Sequence, residues 1–112
     1  MPAHLQPLRI PTGWAVTYNT FHDVVATPES VQDDYTLLTE NLLQLHHERY
    51  DRLVDLGWTP EGNFKDGSFH LQAYEGDFHG KQIYDFRSQD KDLIVSEIEQ
   101  LCFAISNGRF PE

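Results

Sequence analysis

Hydrophobic and polar residues alternate along much of the middle of this chain, a pattern typical of β-strands with one buried face. The alternation is clearest in residues 68–75, where an apolar set alternates with a polar set: Phe69, Leu71 and Ala73 against His70, Gln72 and Tyr74. Residues 81–88 divide in the same way, into Ile83, Asp85 and Arg87 against Gln82, Tyr84 and Phe86. Both segments are therefore predicted to be half-buried strands.

Three earlier segments are also predicted to be strands, at residues 14–24, 41–47 and 51–59. In the first, Trp14, Val16 and Tyr18 alternate with smaller or polar residues. Turn-forming residues separate the later strands at 48–50, at 60–67 with Asp66-Gly67, and at 76–80. Consecutive strands with short connections favour an antiparallel meander of about five strands.

The end of the chain changes to a helical period. Apolar residues recur every three or four positions in a single stripe: Ile94, Ile98, Leu101 and Ile105. Asp90 is a good N-cap for a helix that runs to about Ser106, and Asn107-Gly108 is a typical stop. The predicted fold is α+β, with this C-terminal helix packed on one face of the antiparallel sheet.

The region before the second strand carries two competing patterns. Thr27-Pro28-Glu29 resembles a helix start, and a stripe of apolar residues at helical spacing follows it. A single helix through this stripe and into the next alternating segment would exceed the usual length of a globular helix. We therefore predict that residues 30–39 are helical or irregular and that a strand begins at residue 41.

The chain has 112 residues, of which 39% are hydrophobic, which is a globular composition. This length predicts one α+β domain over residues 1–112, with an extended segment at 1–12. There are 18 acidic and 8 basic residues, giving a formal net charge of −10. Such a charge argues against binding to nucleic acid or to an anionic membrane surface. A single cysteine and the lack of an apolar leader or span predict a cytoplasmic protein.

No familiar motif of a catalytic, cofactor or metal site is visible. The six histidines lack metal-ligand spacing, and His46 and His47, adjacent in a strand, are expected to project to opposite faces. Cys102 lies on the apolar stripe of the helix, where a thiol is usually buried and inert. The glycines form no phosphate-binding loop. We therefore expect no catalytic residue, no cofactor and no metal.

Two carboxylates interrupt otherwise apolar strand sequences. Asp55 lies within LVDLGW and Asp85 within IYDFR. From the alternation within the strands, we expect the covered side of the sheet to carry an apolar set: Val54, Leu56, Trp58, Tyr84 and Phe86. An open or rim position is expected for a polar set that forms a candidate partner-binding surface: Asp55, His70, Gln72, Tyr74, Asp85 and Arg87. Simple solvent exposure, with the carboxylates pairing with Arg87, is the alternative.

Several segments together resemble small acidic bacterial proteins, mainly of Gram-positive type: IPTGWAVTYNTFHDV, LLQL, LVDLGWTPEGNFKDG and YDFRSQDKDLIVSEIEQL. The resemblance covers most of the chain. Some proteins of this type are similar to immunity proteins that accompany polymorphic toxins. What the resemblance implies is a protein-binding role, and it transfers no catalytic residue.

Two functional hypotheses follow. The first is a cytoplasmic protein-binding module, in its narrower form an immunity-type inhibitor, because an acidic surface steers association towards a basic partner. The second is a small enzyme or ligand-binding domain that uses the open sheet face, with His70 as its proton carrier at neutral pH. A deep pocket containing a carboxylate or histidine of shifted pKa would favour the second hypothesis.

Overall fold

The computed structural model describes residues 5–22, 39–60 and 65–110. Within these residues the chain forms five strands and then a helix: β1 (Trp14–Asn19), β2 (Leu43–His47), β3 (Arg52–Thr59), β4 (Ser68–Glu75), β5 (Gln82–Ser88) and α1 (Lys91–Ser106). The strands lie in one sheet in the order of the sequence, and every neighbouring pair is antiparallel. The predicted α+β fold, a five-stranded meander with a C-terminal helix, is confirmed.

The apolar face of the sheet is built from rows of residues that pair across β2 to β5. One row joins Leu43, Leu56, Leu71 and Phe86, and the next joins Leu45, Val54, Ala73 and Tyr84. Helix α1 packs against β4 and β5 and buries its predicted stripe, together with Cys102: Ile94, Ile98, Leu101 and Ile105. The apolar residues of the strands and the apolar stripe of the helix therefore pack together in a single core.

Both ends of α1 have the predicted caps. The Asp90 side chain accepts hydrogen bonds from the backbone N–H groups of Asp92 and Leu93, at 3.0 and 3.3 Å. Asn107 is the C-cap, and Gly108 follows with a φ of +74°, a conformation that glycine adopts without steric penalty. These local signals are sufficient to place the helix to within one residue.

Strand β1 is shorter than predicted, ending at Asn19. Its register against β2 shifts between Val16 and Tyr18, so the alternation does not direct both side chains into the core. Val16 is 57% exposed and Tyr18 is 42% exposed, whereas Phe21, beyond the strand, is buried. The prediction of a half-buried strand over 14–24 is therefore wrong in length and in burial. Residues 23–24, like the 30–38 part of the predicted helical or irregular segment, lie outside the described residues.

One predicted boundary and one predicted alternation are corrected by backbone geometry. Asp51 belongs to the turn rather than to β3, because its φ of 53° is left-handed. In β5 the register shifts between the pairs formed by Ala73 and Tyr74, so that Gln82 rather than Ile83 pairs with Tyr74. The predicted alternation of β5 therefore holds only from Tyr84 onwards.

The N-terminal segment is attached to the helix and to the residues that follow β1. The Arg9 backbone N–H donates to Glu99 Oε2 at 2.7 Å, and the Gln6 backbone N–H donates to the Phe21 carbonyl at 2.7 Å. The Trp14 indole Nε1–H donates to Ser106 Oγ at 2.9 Å. Among the described residues, no helix has the length and apolar character needed to cross a bilayer.

Candidate functional site

The face of the sheet opposite α1 is polar. Gln44, Asp55, Gln72 and Asp85 pair in one row across β2 to β5, and His70 pairs with Arg87 on the next row. Tyr74 follows Gln72 on the same side of β4. We call this surface the polar face: Gln44, Asp55, His70, Gln72, Tyr74, Asp85 and Arg87. It brings together every residue of the predicted partner-binding set.

The members of the polar face differ sharply in exposure. Arg87 is exposed, the Asp85 side chain is 53% exposed, and Tyr74 is half-buried. In contrast, Asp55 is only 6% exposed and His70 only 9%. The expectation of an open or rim position is therefore wrong for these two residues. Asp55 lies on the central strand, flanked by long side chains at Gln44 and Gln72, which explains why alternation alone did not predict its burial.

A carbonyl group also crosses the polar face above Gly57. A Cβ atom added to Gly57 would lie 1.8 Å from the Glu40 backbone oxygen, so this position accepts only glycine without a shift of the chain. The crossing segment is held on both sides, since Leu42 N donates to Leu56 O and Trp58 N donates to Thr39 O, each at 2.8 Å. This close approach of the chain beside the buried Trp58 contributes a polar oxygen to the polar face.

Asp85 contacts a histidine rather than an arginine. His70 Nε2 lies 2.5 Å from Asp85 Oδ1, and the two residues are offset by one row between β4 and β5. Arg87 instead donates from a guanidinium nitrogen to Thr59 Oγ1 at 3.2 Å. The alternative in which the carboxylates pair with Arg87 is thus not the arrangement adopted. The half-exposed Asp85 orients the ring of buried His70.

Asp55 is the most unusual group of the polar face. Its Oδ1 is buried and has no hydrogen-bond partner within the described part of the chain. Burial raises the pKa of Asp55 from its ordinary value to about 6, and a side-chain hydrogen bond from Gln44 opposes that rise. Asp55 therefore changes charge close to neutral pH, which the sequence analysis did not predict for this residue.

Tyr74 reports the electrostatic character of the same region. Its pKa is raised, first by desolvation and then by the negative charges of Asp55 and Asp85. Desolvation disfavours any charge, but the contribution of these two carboxylates indicates a local potential that disfavours a further negative charge. The centre of the polar face therefore favours a cation or a neutral hydrogen-bond donor over an anion.

The histidines of β2 are engaged in separate contacts on the two sides of the sheet. His46 Nε2 lies 2.8 Å from Asp51 Oδ1, whereas His47 is buried, stacks on Tyr50 and makes a T-shaped contact with Trp14. Burial is the main cause of the lowered pKa of His47. No group of three or more potential metal ligands occurs in the described ranges 5–22, 39–60 and 65–110.

Cys102 has no character of a nucleophile. It is fully buried on the inner side of α1, as predicted. Burial, assisted by the charge of Glu99, raises the pKa of the thiol to about 12. The thiolate that nucleophilic catalysis requires is therefore scarce at neutral pH.

Sequence reasoning missed two contributors to this site. Gln44 pairs directly with Asp55 and hydrogen bonds to it, yet it was not assigned to the polar set. Its position between Leu43 and Leu45 carried the same alternation signal that identified Asp55. The Glu40 carbonyl had no such signal, because a backbone oxygen has no sequence signature.

Comparison with protein-family models, with curated proteins and with solved structures finds nothing that matches this chain. The functional assignment therefore depends on the geometry and charge of the polar face.

Replacing Asp55 by asparagine is expected to stabilise the protein at pH 7.5 by about 2 kcal/mol, a value reduced for partial solvent screening. The folded-state pKa of about 6 exceeds the ordinary value of 3.8, so the ionised carboxylate of Asp55 destabilises the folded state at pH 7.5. The contribution of this group to stability is full below about pH 4 and is lost as the pH rises through 6. Urea unfolding of wild type and Asp55→Asn from pH 4 to 8 measures the difference in their free energies of unfolding.

The gain from Asp55→Asn should shrink as the pH falls and should be absent near pH 4. Asp92→Asn removes an equal charge from an exposed position at the start of α1 and is the matched control. It should change stability by a few tenths of a kcal/mol. Clear destabilisation by Asp55→Asn at pH 7.5 would show that the ionised carboxylate makes an essential structural interaction.

Proposed function

We propose that this chain is an acidic cytoplasmic protein-binding module that recognises a basic protein partner through its polar face. The narrower form of this proposal is an immunity-type inhibitor, in which the partner is a basic toxin. The observation that carries it is the position of Asp55, a buried carboxylate in the same cross-strand row as the half-exposed Asp85, with an oxygen that has no hydrogen-bond partner among the described residues. Cationic groups are the natural complement of such a face.

Three further features support a partner rather than a purely structural role. The chain carries a formal net charge of −10, which accelerates encounter with a basic protein at low salt. Tyr74 belongs to a residue type that contributes strongly to binding energy at interfaces. A buried ionised carboxylate lowers stability at neutral pH, and perturbed groups of this kind are concentrated at functional sites.

The proposal is tested by capture from the organism that encodes this chain, followed by kinetics with the purified captured protein. Asp85→Asn should slow association about two- to fivefold, whereas Arg87→Glu on the same face should accelerate it. Asparagine retains an oxygen that can accept from His70, so the fold is preserved. Both effects should diminish as salt is increased.

Asp92→Asn is again the matched control, because it changes net charge as Asp85→Asn does but lies on α1. An equal effect of the two variants would show that only net charge matters and that the polar face is not the interface. A captured protein that is acidic, or whose binding is insensitive to salt, would contradict the proposed function itself. Charge reversal at Asp55 is not a suitable probe, because the residue is buried.

A second candidate function is a small enzyme or ligand-binding domain that uses the same face. The observation that favours it is the pKa of Asp55, about 6, next to Tyr74 and in the same face as His70. Such a carboxylate is able to give and take a proton at neutral pH. A thermal-shift screen would identify this function if a small molecule stabilised wild type but not Asp55→Asn.

A further inference from the structure

A groove opens at the end of the sheet where two hairpin turns lie side by side. The turn after β2 and the turn after β4 are joined by a hydrogen bond from Gly76 N to the Asp51 carbonyl, at 2.7 Å. The groove has a volume of about 420 Å³, and Thr17 of β1 closes one side. We call it the hairpin groove, defined by the remaining lining residues: His46, Asp51, Leu53, Gly76, Asp77 and Phe78.

The hairpin groove has an apolar floor and an aromatic wall. Leu53 is 7% exposed, whereas Phe78 is 48% exposed although it is a large apolar residue in a tight turn. The Phe78 ring is held by an edge-to-face contact with Tyr74, with ring centroids 5.4 Å apart. Leu53 and Tyr74 are cross-strand partners, so the hairpin groove is continuous with the polar face.

Among the described residues, the hairpin groove is lined by two carboxylates and one histidine, His46. Asp51 and Asp77 line it, and no lysine or arginine of the described residues does so. Asp51 Oδ1 is engaged by His46 Nε2, and Asp51 Oδ2 lies 3.6 Å from the position that a Cβ atom of Gly76 would occupy. Because Gly76 has no side chain, there is space beside Asp51 Oδ2.

We propose that the hairpin groove receives an arginine side chain of the basic partner. The guanidinium group lies against the Phe78 ring and next to the Asp51 and Asp77 carboxylates, while the aliphatic stem covers Leu53. Arginine suits this lining better than lysine, because a planar guanidinium stacks on an aromatic ring while donating in its own plane to carboxylates. This inference rests on the proposed function and names the chemical group that the partner supplies.

The direct test is an NMR titration of the full chain with N-acetyl-arginine methylamide. Saturable amide shifts are expected at residues 46–53 and 76–78, with weak affinity because the probe is a single side chain. The neutral citrulline analogue has nearly the same shape and should produce no saturable shift. The lysine analogue should bind more weakly than the arginine probe.

Two variants assign the shifts to the hairpin groove. Asp51→Asn and Phe78→Ala should each raise the dissociation constant about two- to fivefold. Asparagine tolerates the left-handed backbone at residue 51, where φ is 53°, so the turn is retained. The controls are Asp92→Asn for charge and Leu93→Ala for removal of an exposed apolar side chain, both on α1. Neither control should change the dissociation constant.

Three results would overturn the inference: no saturable shift with the arginine probe, equal binding of the citrulline analogue, or equal weakening by Asp92→Asn and Asp51→Asn. Each of these results concerns the hairpin groove alone. The proposed function would still stand if the captured basic protein responded to Asp85→Asn and Arg87→Glu. The proposed function would fail separately if neither variant changed the rate at which that protein associates.

Discussion

Deletion of residues 91–112 is expected to abolish the cooperative thermal unfolding transition of this protein. Helix α1 supplies five buried side chains to the core: Ile94, Ile98, Leu101, Cys102 and Ile105. Without the helix, the apolar rows of β2 to β5 would face water, and a sheet of this size requires cover on such a face. Differential scanning calorimetry of the truncated chain measures the result, and a surviving sigmoidal transition would contradict it.

A single substitution tests the same packing without removing the helix. Ile98 is fully buried, and Ile98→Ala should lower the free energy of unfolding by about 2–5 kcal/mol, measured by urea titration. This is a large part of the roughly 5–15 kcal/mol available to a domain. Leu93 and Phe103 lie on the outer side of the same helix, 43% and 61% exposed, and their alanine variants are the controls. Each should change stability by less than about 1 kcal/mol.

Gly57→Ala is expected to lower the free energy of unfolding by at least about 3 kcal/mol. The added methyl group would lie 1.8 Å from the Glu40 carbonyl oxygen, which is backbone and has no rotamer to change. Relieving this overlap requires the segment at residues 39–42 to move. That movement would break the hydrogen bonds that Leu42 and Trp58 make with neighbouring backbone groups.

Gly76→Ala is the matched control for Gly57→Ala. Gly76 has a φ of +76°, so alanine there suffers the ordinary left-handed penalty of about 1–2 kcal/mol. A Cβ atom added at Gly76 would lie 3.6 Å from Asp51 Oδ2, which is an ordinary van der Waals contact. Urea unfolding of the two variants distinguishes steric exclusion from backbone strain. Equal losses for both would show that the Glu40 segment yields easily and does not define the polar face.

The polar face combines an exposed part suited to recognition with a buried part that is unfavourable for stability. Asp85 and Arg87 are exposed, whereas Asp55 lies beneath the surface with an oxygen that no described residue hydrogen bonds. Stability alone would favour an asparagine or an apolar residue at position 55. A trade of stability for binding or proton exchange is the physical basis of the proposed function.

The sequence alone was sufficient where the determining interactions are local. Strand β4 has the predicted bounds and the predicted division of side chains between faces, because alternate residues of any regular strand project to opposite sides. Helix α1 has its predicted stripe and caps, since a period of 3.6 residues and the chemistry of Asp90 and Asn107 act within a few residues. Within single strands, the same alternation placed His70 with Tyr74 and Asp85 with Arg87, whereas the grouping of these residues with Asp55 on one face was a hypothesis from their polar character.

Only the tertiary structure decided how deeply each of those residues lies and which neighbours it meets. Asp55 is buried because long side chains on β2 and β4 flank it and because a carbonyl crosses the same face at Gly57. The hairpin groove exists because turns about 25 residues apart in sequence become neighbours when β3 pairs with β4. Alternation sets the side of a strand on which a residue projects, but burial depends on what the rest of the chain places over that side.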